Sequence, residues 1–210
     1  PHDALVKYVD FIETEAAGGE RQCFLMMEYL EGMPRLSLRN RLLDSGPLPV
    51  REAVELFIRF LSGLQFLHEN PRPIIHRDIK PANLYAPPGR PEAGRIFDLG
   101  IARDVAGTAT SGGIPGTLDY MAPEFATAGG DRGTPQTDVF AMSLCFFEAL
   151  TGRTALERLP SDLGQAWVRF QQRSVEPLTT DFSADVFVRW PTLADILRLG
   201  LTEKPEDRPS

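Results

Sequence analysis

The chain has 210 residues, enough for one well-packed core, and its 42% hydrophobic and 24% charged residues are ordinary for a globular domain. Its formal net charge of −7 argues against nucleic acid as the main partner, because phosphate backbones select basic surfaces. With only Cys23 and Cys145, neither a disulfide framework nor a zinc site is indicated, and a cytoplasmic setting is expected by default.

Two short apolar segments open the chain. Residues 5–11 and 22–27 are predicted to form strands on either side of Gly18-Gly19. These two glycines do not have the G-x-G-x-x-G spacing of a phosphate-binding loop. We therefore predict a hairpin here and no phosphate site.

Two helices are predicted next. Residues 36–43 are assigned a short helix, and Pro49 fits the first turn of a longer helix that runs through His68. Apolar residues recur in the longer helix at spacings of three and four, which predicts one apolar face. This face consists of Val54, Phe57, Ile58, Leu61, Leu64 and Leu67.

The segment from His76 to Asn83 is the most informative part of the chain, since it places an acid, a cation and a carboxamide within eight residues. Asp78 can orient an attacking hydroxyl and accept its proton. Lys80 can supply the positive charge that a migrating phosphoryl group needs, and Asn83 offers an oxygen to Mg²⁺. The pattern predicts a phosphoryl-transfer site.

A second carboxylate follows a small predicted hairpin. Leu84-Tyr85 is expected to belong to a β-hairpin with a Pro/Gly-rich turn, and residues 95–100 are predicted to be a short apolar strand that runs into a turn and carries Asp98. A long loop over residues 101–123 follows. Its cluster of Thr108, Thr110 and Ser111 is by default a flexible polar segment.

The second half of the chain is predicted to be mainly helical. Thr137-Asp138 precedes an almost unbroken apolar run over residues 139–150, and Gly152 follows, which predicts a helix with Asp138 at its N-cap and a stop at the glycine. The run is apolar on all sides but shorter than the about 20 residues that cross a bilayer, so it is predicted to lie at the centre of a helical core. Further helices are predicted near residues 162–172 and 193–202.

Taken in order, these segments resemble the protein kinase superfamily over nearly the whole chain. His76 to Asn83 matches the catalytic-loop pattern, and Lys80-Pro81 is typical of the serine/threonine branch. Asp98-Leu99-Gly100 resembles the Asp-Phe-Gly signature with Leu in place of Phe, and residues 116–124 resemble the substrate-docking loop that ends in Ala-Pro-Glu. The resemblance implies a mainly α fold, namely the helical C-terminal lobe of a kinase with small β-hairpins, plus two residual strands and the hinge of the N-terminal lobe.

The resemblance also implies the domain limits. Residues 1–30 correspond to residual strands and the start of the hinge, and residues 31–210 to the C-terminal lobe, with the catalytic loop at 76–83 and the activation segment at 98–124. The Gly-rich loop, the strand Lys and the helix Glu that kinases carry upstream are not in this sequence. We therefore expect an excised part of a larger protein, with an exposed hairpin, and related bacterial proteins can carry a distant membrane anchor.

Roles for single residues follow from the same resemblance. The implied catalytic residues are Asp78, Lys80, Asn83 and Thr117, and the implied Mg²⁺ ligands are Asn83 and Asp98. The implied contacts to ATP are Glu28 and Leu30 in the hinge, and Tyr85 where kinases usually place an aliphatic residue under the adenine. The resemblance also implies regulation, in which Arg77 pairs with a phosphate on Thr108, Thr110 or Ser111.

Four residues are expected to be structural. His76 is expected to pack inward and to bond to the backbone, and Asp138 to brace the catalytic loop. Glu124 and Arg208 are expected to form a largely buried ion pair although 84 positions separate them. In addition, Ser143 stands in the apolar helix where kinases usually have Gly, a difference that concerns packing.

The function implied is that of a bacterial-type serine/threonine protein kinase that uses ATP and Mg²⁺, acts on protein substrates and has dimerisation as one route to activation. Two alternatives remain open. A pseudokinase scaffold would share the fold, although the complete set of catalytic-loop groups favours activity. A small-molecule phosphotransferase would generally lack the docking loop, which is present here as Ala122-Pro123-Glu124.

Overall fold

The structure is a computed structural model that describes residues 2–15, 18–99, 118–126, 133–176 and 178–209. Helices dominate this part of the chain. The strands are β1 Tyr8–Glu15, β2 Arg21–Met27, β3 Leu84–Tyr85 and β4 Arg95–Ile96, and the helices are α1 Leu38–Ser45, α2 Val50–His68, α3 Pro135–Thr151, α4 Leu163–Arg173, α5 Asp185–Arg189 and α6 Pro191–Gly200. The predicted fold class, a mainly α lobe with small hairpins, is confirmed.

Strands β1 and β2 form the predicted antiparallel hairpin. It begins later than expected, since β1 starts at Tyr8. Almost every residue of the hairpin is exposed, and Phe11 and Phe24 keep 55% and 52% of their surface in contact with solvent. The expected exposure of the hairpin is thus observed.

The residues before β1 belong to a different sheet. The Ile96 N–H donates to the Ala4 carbonyl over 2.8 Å, and the Val6 N–H donates to the Ile96 carbonyl over 2.9 Å. Leu5 and Ile96 form a parallel bridge, and β4 pairs antiparallel with β3 on its other side. Ala4, Leu5 and Val6 are buried, so this segment is part of the helical lobe, while the hairpin that follows is not.

Helices α1 and α2 lie close to their predicted positions. Helix α1 begins at Leu38, two residues later than expected, because the Ser37 hydroxyl caps it by accepting a hydrogen bond from the Asn40 N–H. Helix α2 begins at Val50, with Pro49 as its N-cap and not within its first turn as expected, and it ends at His68 as predicted.

The predicted apolar face of α2 is partly wrong. Ile58 and Leu61 are 62% and 42% exposed, whereas Leu64 and Leu67 are buried as expected. The buried face lies to one side of the predicted one and includes Gly63, where the N-terminal segment comes close: a Cβ there would lie 3.0 Å from the Ala4 side chain. Its residues are Ala53, Leu56, Phe57, Phe60, Gly63, Leu64 and Leu67.

Helix α3 is the buried centre of the lobe, as predicted. The predicted start of the helix, with Asp138 at the N-cap, is wrong. Thr134 is the N-cap and forms a capping box with Thr137. Asp138 therefore lies inside the first turn and does not cap the helix. The helix ends at Gly152, whose φ of +69° is the left-handed conformation expected of a C-terminal glycine.

Of the remaining helices, α6 packs against α3, and α5 contacts it through the Phe187 and Phe147 rings. Helix α4 is capped by the Asp162 carboxylate, and α6 begins at Pro191, earlier than predicted, since proline suits a first turn. Helix α6 ends in contact with α3, where a Cβ on Gly200 would lie 2.0 Å from the Ser143 Oγ. Among the described residues, no helix is both long and apolar enough to span a membrane.

Candidate active site

Three of the predicted site residues form one hydrogen-bonded cluster. The Asp78 carboxylate accepts hydrogen bonds from the Lys80 ammonium over 2.8 Å and from the Asn83 amide over 3.0 Å. The same Asn83 Nδ2 also donates to the Asp78 carbonyl over 2.9 Å. Asp78 and Asn83 are buried, so the acid, the cation and the carboxamide are held in fixed relation to one another.

The second carboxylate lies at the same end of the small sheet as Asn83. Strands β3 and β4 pair Leu84 with Ile96, and the Phe97 N–H then donates to the Asn83 carbonyl over 3.1 Å. Asp98 is the next residue and is exposed. The sequence prediction that Asn83 and Asp98 share a site is therefore consistent with the sheet register.

The side chains at this end of the sheet fit Mg²⁺. Both hydrogen bonds seen for the Asn83 side chain within the described ranges use Nδ2, so there its Oδ1 remains an acceptor. Mg²⁺ prefers oxygen ligands such as this amide oxygen and carboxylates. No group of three or more His, Cys, Asp or Glu side chains is placed to hold a metal within the ranges that the structure describes. A site of one carboxylate and one amide suits Mg²⁺ that is bound mainly through substrate phosphates and water.

His76 joins the catalytic loop to the segment that carries Asp98. The buried ring accepts a hydrogen bond from the Asp78 N–H at Nδ1, so Nε2 carries the proton and donates to the Phe97 carbonyl over 3.1 Å. Burial lowers the pKa of His76 although the nearby Asp138 carboxylate acts to raise it. The expected inward packing and backbone bonding of His76 are both observed, in a neutral ring.

The Asp138 carboxylate holds the start of the catalytic loop. It accepts hydrogen bonds from the His76 N–H over 2.8 Å and the Arg77 N–H over 2.9 Å. Its third contact is with His68 Nε2, over 2.9 Å. Arg77 has a φ of +63°, a conformation that residues other than glycine adopt only when their surroundings hold it.

His68 was not identified from the sequence. It is the last residue of α2, 70 positions before Asp138, and only the packing of α2 against α3 brings the two together.

Glu124 and Arg208 form the predicted ion pair. The guanidinium donates to both carboxylate oxygens, over 2.8 and 3.0 Å, and the two side chains are 0% (Arg208) and 13% (Glu124) exposed. The Thr137 hydroxyl adds a third hydrogen bond to Glu124 over 3.1 Å. Arg208 also donates to the carbonyls of Thr202, Gln136 and Glu203.

The implied nucleotide contacts lie where the hairpin joins the helical lobe. Tyr85 is buried, and its hydroxyl donates to the Glu31 carbonyl over 2.9 Å. The Glu28 N–H donates to the Lys7 carbonyl. The Glu28 carbonyl and the Leu30 N–H make no backbone hydrogen bond among the described residues. These two backbone groups are of the kind that pairs with the edge of a purine.

Four predicted residues lie outside the part of the chain that the structure describes. They are Thr117, implied in catalysis, and the implied phosphorylation sites Thr108, Thr110 and Ser111. Arg77, their implied partner, is described and lies beside Asp78.

Comparison with known proteins agrees with this geometry. The sequence pattern of the protein kinase domain matches residues 1–210. The chain is 31% identical over 215 residues to the serine/threonine-protein kinase pkn2 of Myxococcus xanthus and 30% identical over 211 residues to the serine/threonine-protein kinase PknB of Mycolicibacterium smegmatis, each alignment covering 99% of the chain. It is 33% identical over 154 residues, 72% of the chain, to the serine/threonine-protein kinase PknB of Mycobacterium leprae.

These alignments cover only part of each relative. They span 24% of pkn2, 31% of the Mycolicibacterium PknB and 23% of the Mycobacterium leprae PknB. The chain therefore spans between about a quarter and a third of the length of these relatives. The match over residues 1–210, together with the catalytic-loop cluster, shows that this chain belongs to the protein kinase domain family.

Proposed function

We propose that this chain is the catalytic lobe of a serine/threonine protein kinase of bacterial type, which transfers the γ-phosphate of ATP to hydroxyls of protein substrates. The observation that carries the proposal is the buried cluster of Asp78, Lys80 and Asn83, in which an acid, a cation and an oriented amide meet. Membership of the protein kinase family supports it, as do relatives named serine/threonine-protein kinases.

In this proposal Asp78 orients the acceptor hydroxyl and takes its proton. Lys80, bonded to the same carboxylate over 2.8 Å, offsets the charge on the phosphoryl group during transfer. The hydrogen bonds of Asn83 to the Asp78 carbonyl and carboxylate fix the acid in place before substrate arrives. Thr117 is proposed to contact the same acid and cation.

Asn83 Oδ1 and the Asp98 carboxylate are the groups that would hold Mg²⁺. When bound, Mg²⁺ supplies positive charge that bridges the phosphate oxygens of the nucleotide. The adenine is proposed to pair with the Glu28 carbonyl and the Leu30 N–H and to lie over the Tyr85 ring.

Regulation is proposed to act through the residue next to the acid. Arg77 would pair with a phosphate on Thr110 or Ser111, or failing these on Thr108, because phosphate and guanidinium form strong bidentate hydrogen bonds. A role in cytoplasmic signalling, with dimerisation as one route to activation, is proposed on family grounds.

The proposal is tested by Asp78→Asn in the full-length protein that carries this chain. Turnover should fall by orders of magnitude while nucleotide affinity stays nearly unchanged, because Asp78 acts on the acceptor and scarcely touches ATP. The matched control is Asp44→Asn at an exposed position of α1, which should keep parental turnover. Steady-state phosphorylation of a protein substrate and titration with Mg²⁺-nucleotide measure the two quantities.

Two results would contradict the proposal. Equal kcat in Asp78→Asn and the parent would remove Asp78 from the reaction. A parent that binds Mg²⁺-nucleotide but transfers no phosphate to protein hydroxyls would instead indicate a pseudokinase scaffold.

A further inference from the structure

A long-range hydrogen bond joins the exposed hairpin to the residue after Asp98. The Leu99 N–H donates to the Tyr8 hydroxyl over 3.1 Å, and 91 positions separate the two residues. Tyr8 is the first residue of β1 and is half-buried, whereas the other residues of β1 are exposed. Tyr8 is thus the residue of β1 whose side chain reaches the candidate site.

The backbone of Asp98 needs such support. Its φ is +62°, in the left-handed region that costs a residue other than glycine on the order of 1 kcal/mol or more and persists only when neighbours hold it. On the N-terminal side, two hydrogen bonds hold Phe97. Its N–H donates to the Asn83 carbonyl, and its carbonyl accepts from the His76 ring. On the C-terminal side, within the described residues, the Leu99 N–H is held by Tyr8.

The Tyr8 hydroxyl is suited to accept this bond. Burial raises the pKa of Tyr8; the Leu99 hydrogen bond acts to lower it and the negative charge of Asp98 to raise it, and the net shift is upward, so the phenol is neutral at neutral pH. A neutral phenol oxygen accepts a backbone N–H without placing a second negative charge beside Asp98.

We propose that Tyr8 is a positioning residue for Asp98. Its hydroxyl holds the Leu99 amide and so keeps Asp98 in the backbone conformation from which its carboxylate binds Mg²⁺ together with Asn83. This step rests on the proposed function for the role of Asp98. It gives the hairpin a direct part in building the metal site, through one hydrogen bond.

The first test needs neither metal nor nucleotide. In the full-length protein, Tyr8→Phe removes the hydroxyl and keeps the ring, so hydrogen–deuterium exchange at the Leu99 amide should become about two- to tenfold faster, as the loss of one hydrogen bond implies. The control is Val9→Ala, which alters the next, exposed residue of the same strand and should leave exchange at Leu99 unchanged.

The second test measures the metal site directly. The binding of ADP at a fixed concentration is measured while Mg²⁺ is titrated. Tyr8→Phe should need about two- to tenfold more Mg²⁺ than the parent for half-maximal ADP binding. Binding of ADP in the presence of a chelator should equal that of the parent, because the hydroxyl acts on the metal ligand and not on the base. Val9→Ala should again match the parent, and Asp98→Ala should lose the Mg²⁺ dependence.

The outcomes separate the two levels of the proposal. Parental exchange at Leu99 in Tyr8→Phe would overturn the hydrogen bond itself. Faster exchange with an unchanged Mg²⁺ requirement would overturn the positioning role while leaving the kinase proposal intact. An Asp98→Ala variant that keeps full Mg²⁺ dependence would contradict the proposed metal site, whatever Tyr8→Phe does.

Discussion

His76 shows how one buried ring ties together two parts of the site without taking part in the reaction. Its Nδ1 accepts from the Asp78 N–H and its Nε2 donates to the Phe97 carbonyl, which requires the neutral form. A second proton would break the first bond and bury a charge. Protonation of His76 therefore opposes folding.

This predicts a dependence of stability on pH. Burial lowers the pKa of His76 in the folded chain below its ordinary value near 6.5, so below about pH 6.5 the unfolded chain binds a proton that the folded chain does not. As pH is lowered from about 6.5 to the folded-state pKa, the free energy of unfolding should decrease by up to about 1.4 kcal/mol per pH unit. Urea unfolding between pH 8 and 5 measures this slope.

The control is His76→Gln, which offers hydrogen-bonding groups but does not titrate in this range. Its slope between pH 6.5 and 5 should be flatter than that of the parent, and the difference isolates His76 from all other groups. Parallel slopes would mean that His76 takes up no proton on unfolding.

At this scale the residue pattern itself was informative where the interacting groups are close along the chain, and the distant Glu124–Arg208 pair was predicted only through the resemblance to kinases. The acid, the cation and the amide at 78, 80 and 83 were predicted as a site, since a single loop holds them. The contacts of Asp138 with His68 and of Tyr8 with Leu99 span 70 and 91 positions, and nothing local in the sequence indicates either. The helix packing and the strand pairing that create them become visible only in the folded chain.

At the scale of whole elements, α3 and α6 cross closely because Gly200 of α6 has no side chain at the contact. Gly200 faces Ser143, whose hydroxyl donates to the Val139 carbonyl one turn earlier in α3. The serine that replaces the usual glycine of this helix is thus matched by a glycine on the neighbouring helix.

Gly200→Ala should therefore destabilise the protein. The new Cβ would lie 2.0 Å from the Ser143 Oγ, and overpacking of this kind costs about 1–3 kcal/mol, more than the alanine gains in helix propensity. Thermal or urea unfolding gives the difference. In a Ser143→Gly background the obstructing atoms are absent, so the same change should be neutral or stabilising.

Gly164→Ala is the matched control for this pair. It lies in the first turn of α4, where a Cβ meets only the Asp162 carboxylate at 3.4 Å. It should keep or raise the unfolding midpoint. Equal effects at Gly164 and Gly200 would show that the Ser143 contact does not decide the result.

Helix positions were predicted well and helix faces less well. Caps and stops such as Pro49 and Gly152 act on their own neighbours, so they can be recognised in sequence. The face of α2 depends on what packs against it. Ile58 and Leu61 have the right spacing for burial but are exposed, whereas Gly63, which the pattern did not single out, contacts the N-terminal segment.

At the scale of the molecule, the Glu124–Arg208 pair connects residues 118–126 to the segment that follows α6. The guanidinium is fully buried, stacks over the Phe140 ring at 4.7 Å and donates to three backbone carbonyls as well as to Glu124. Removal of one partner leaves the other charge without its counter-ion in a poorly hydrated site.

Arg208→Ala should accordingly cost on the order of 3 kcal/mol in the free energy of unfolding. The control is Arg51→Ala, which removes an ion pair with Glu55 on the solvent side of α2 and should leave the unfolding midpoint nearly unchanged. The double variant of Glu124→Ala with Arg208→Ala should lose less than the sum of the two single changes. Strict additivity would mean that the two side chains do not stabilise each other.

The attachment of the hairpin also fixes how it can move. Residues 4–6 are part of the sheet with β4, and the Glu28 N–H bonds to the Lys7 carbonyl, so both ends of the hairpin leave the lobe at one place. A rigid-body swing of the hairpin about this attachment would turn on an axis through Lys7 and Glu28. At about 3.3 Å per residue, the far end of β1 is a lever of about 26 Å, whereas the Tyr8 backbone lies about 3 Å from the axis. A displacement of about 8 Å at the tip would thus move the Tyr8 backbone by only about 1 Å, so the end of the hairpin that carries the bond to Leu99 is the end that moves least.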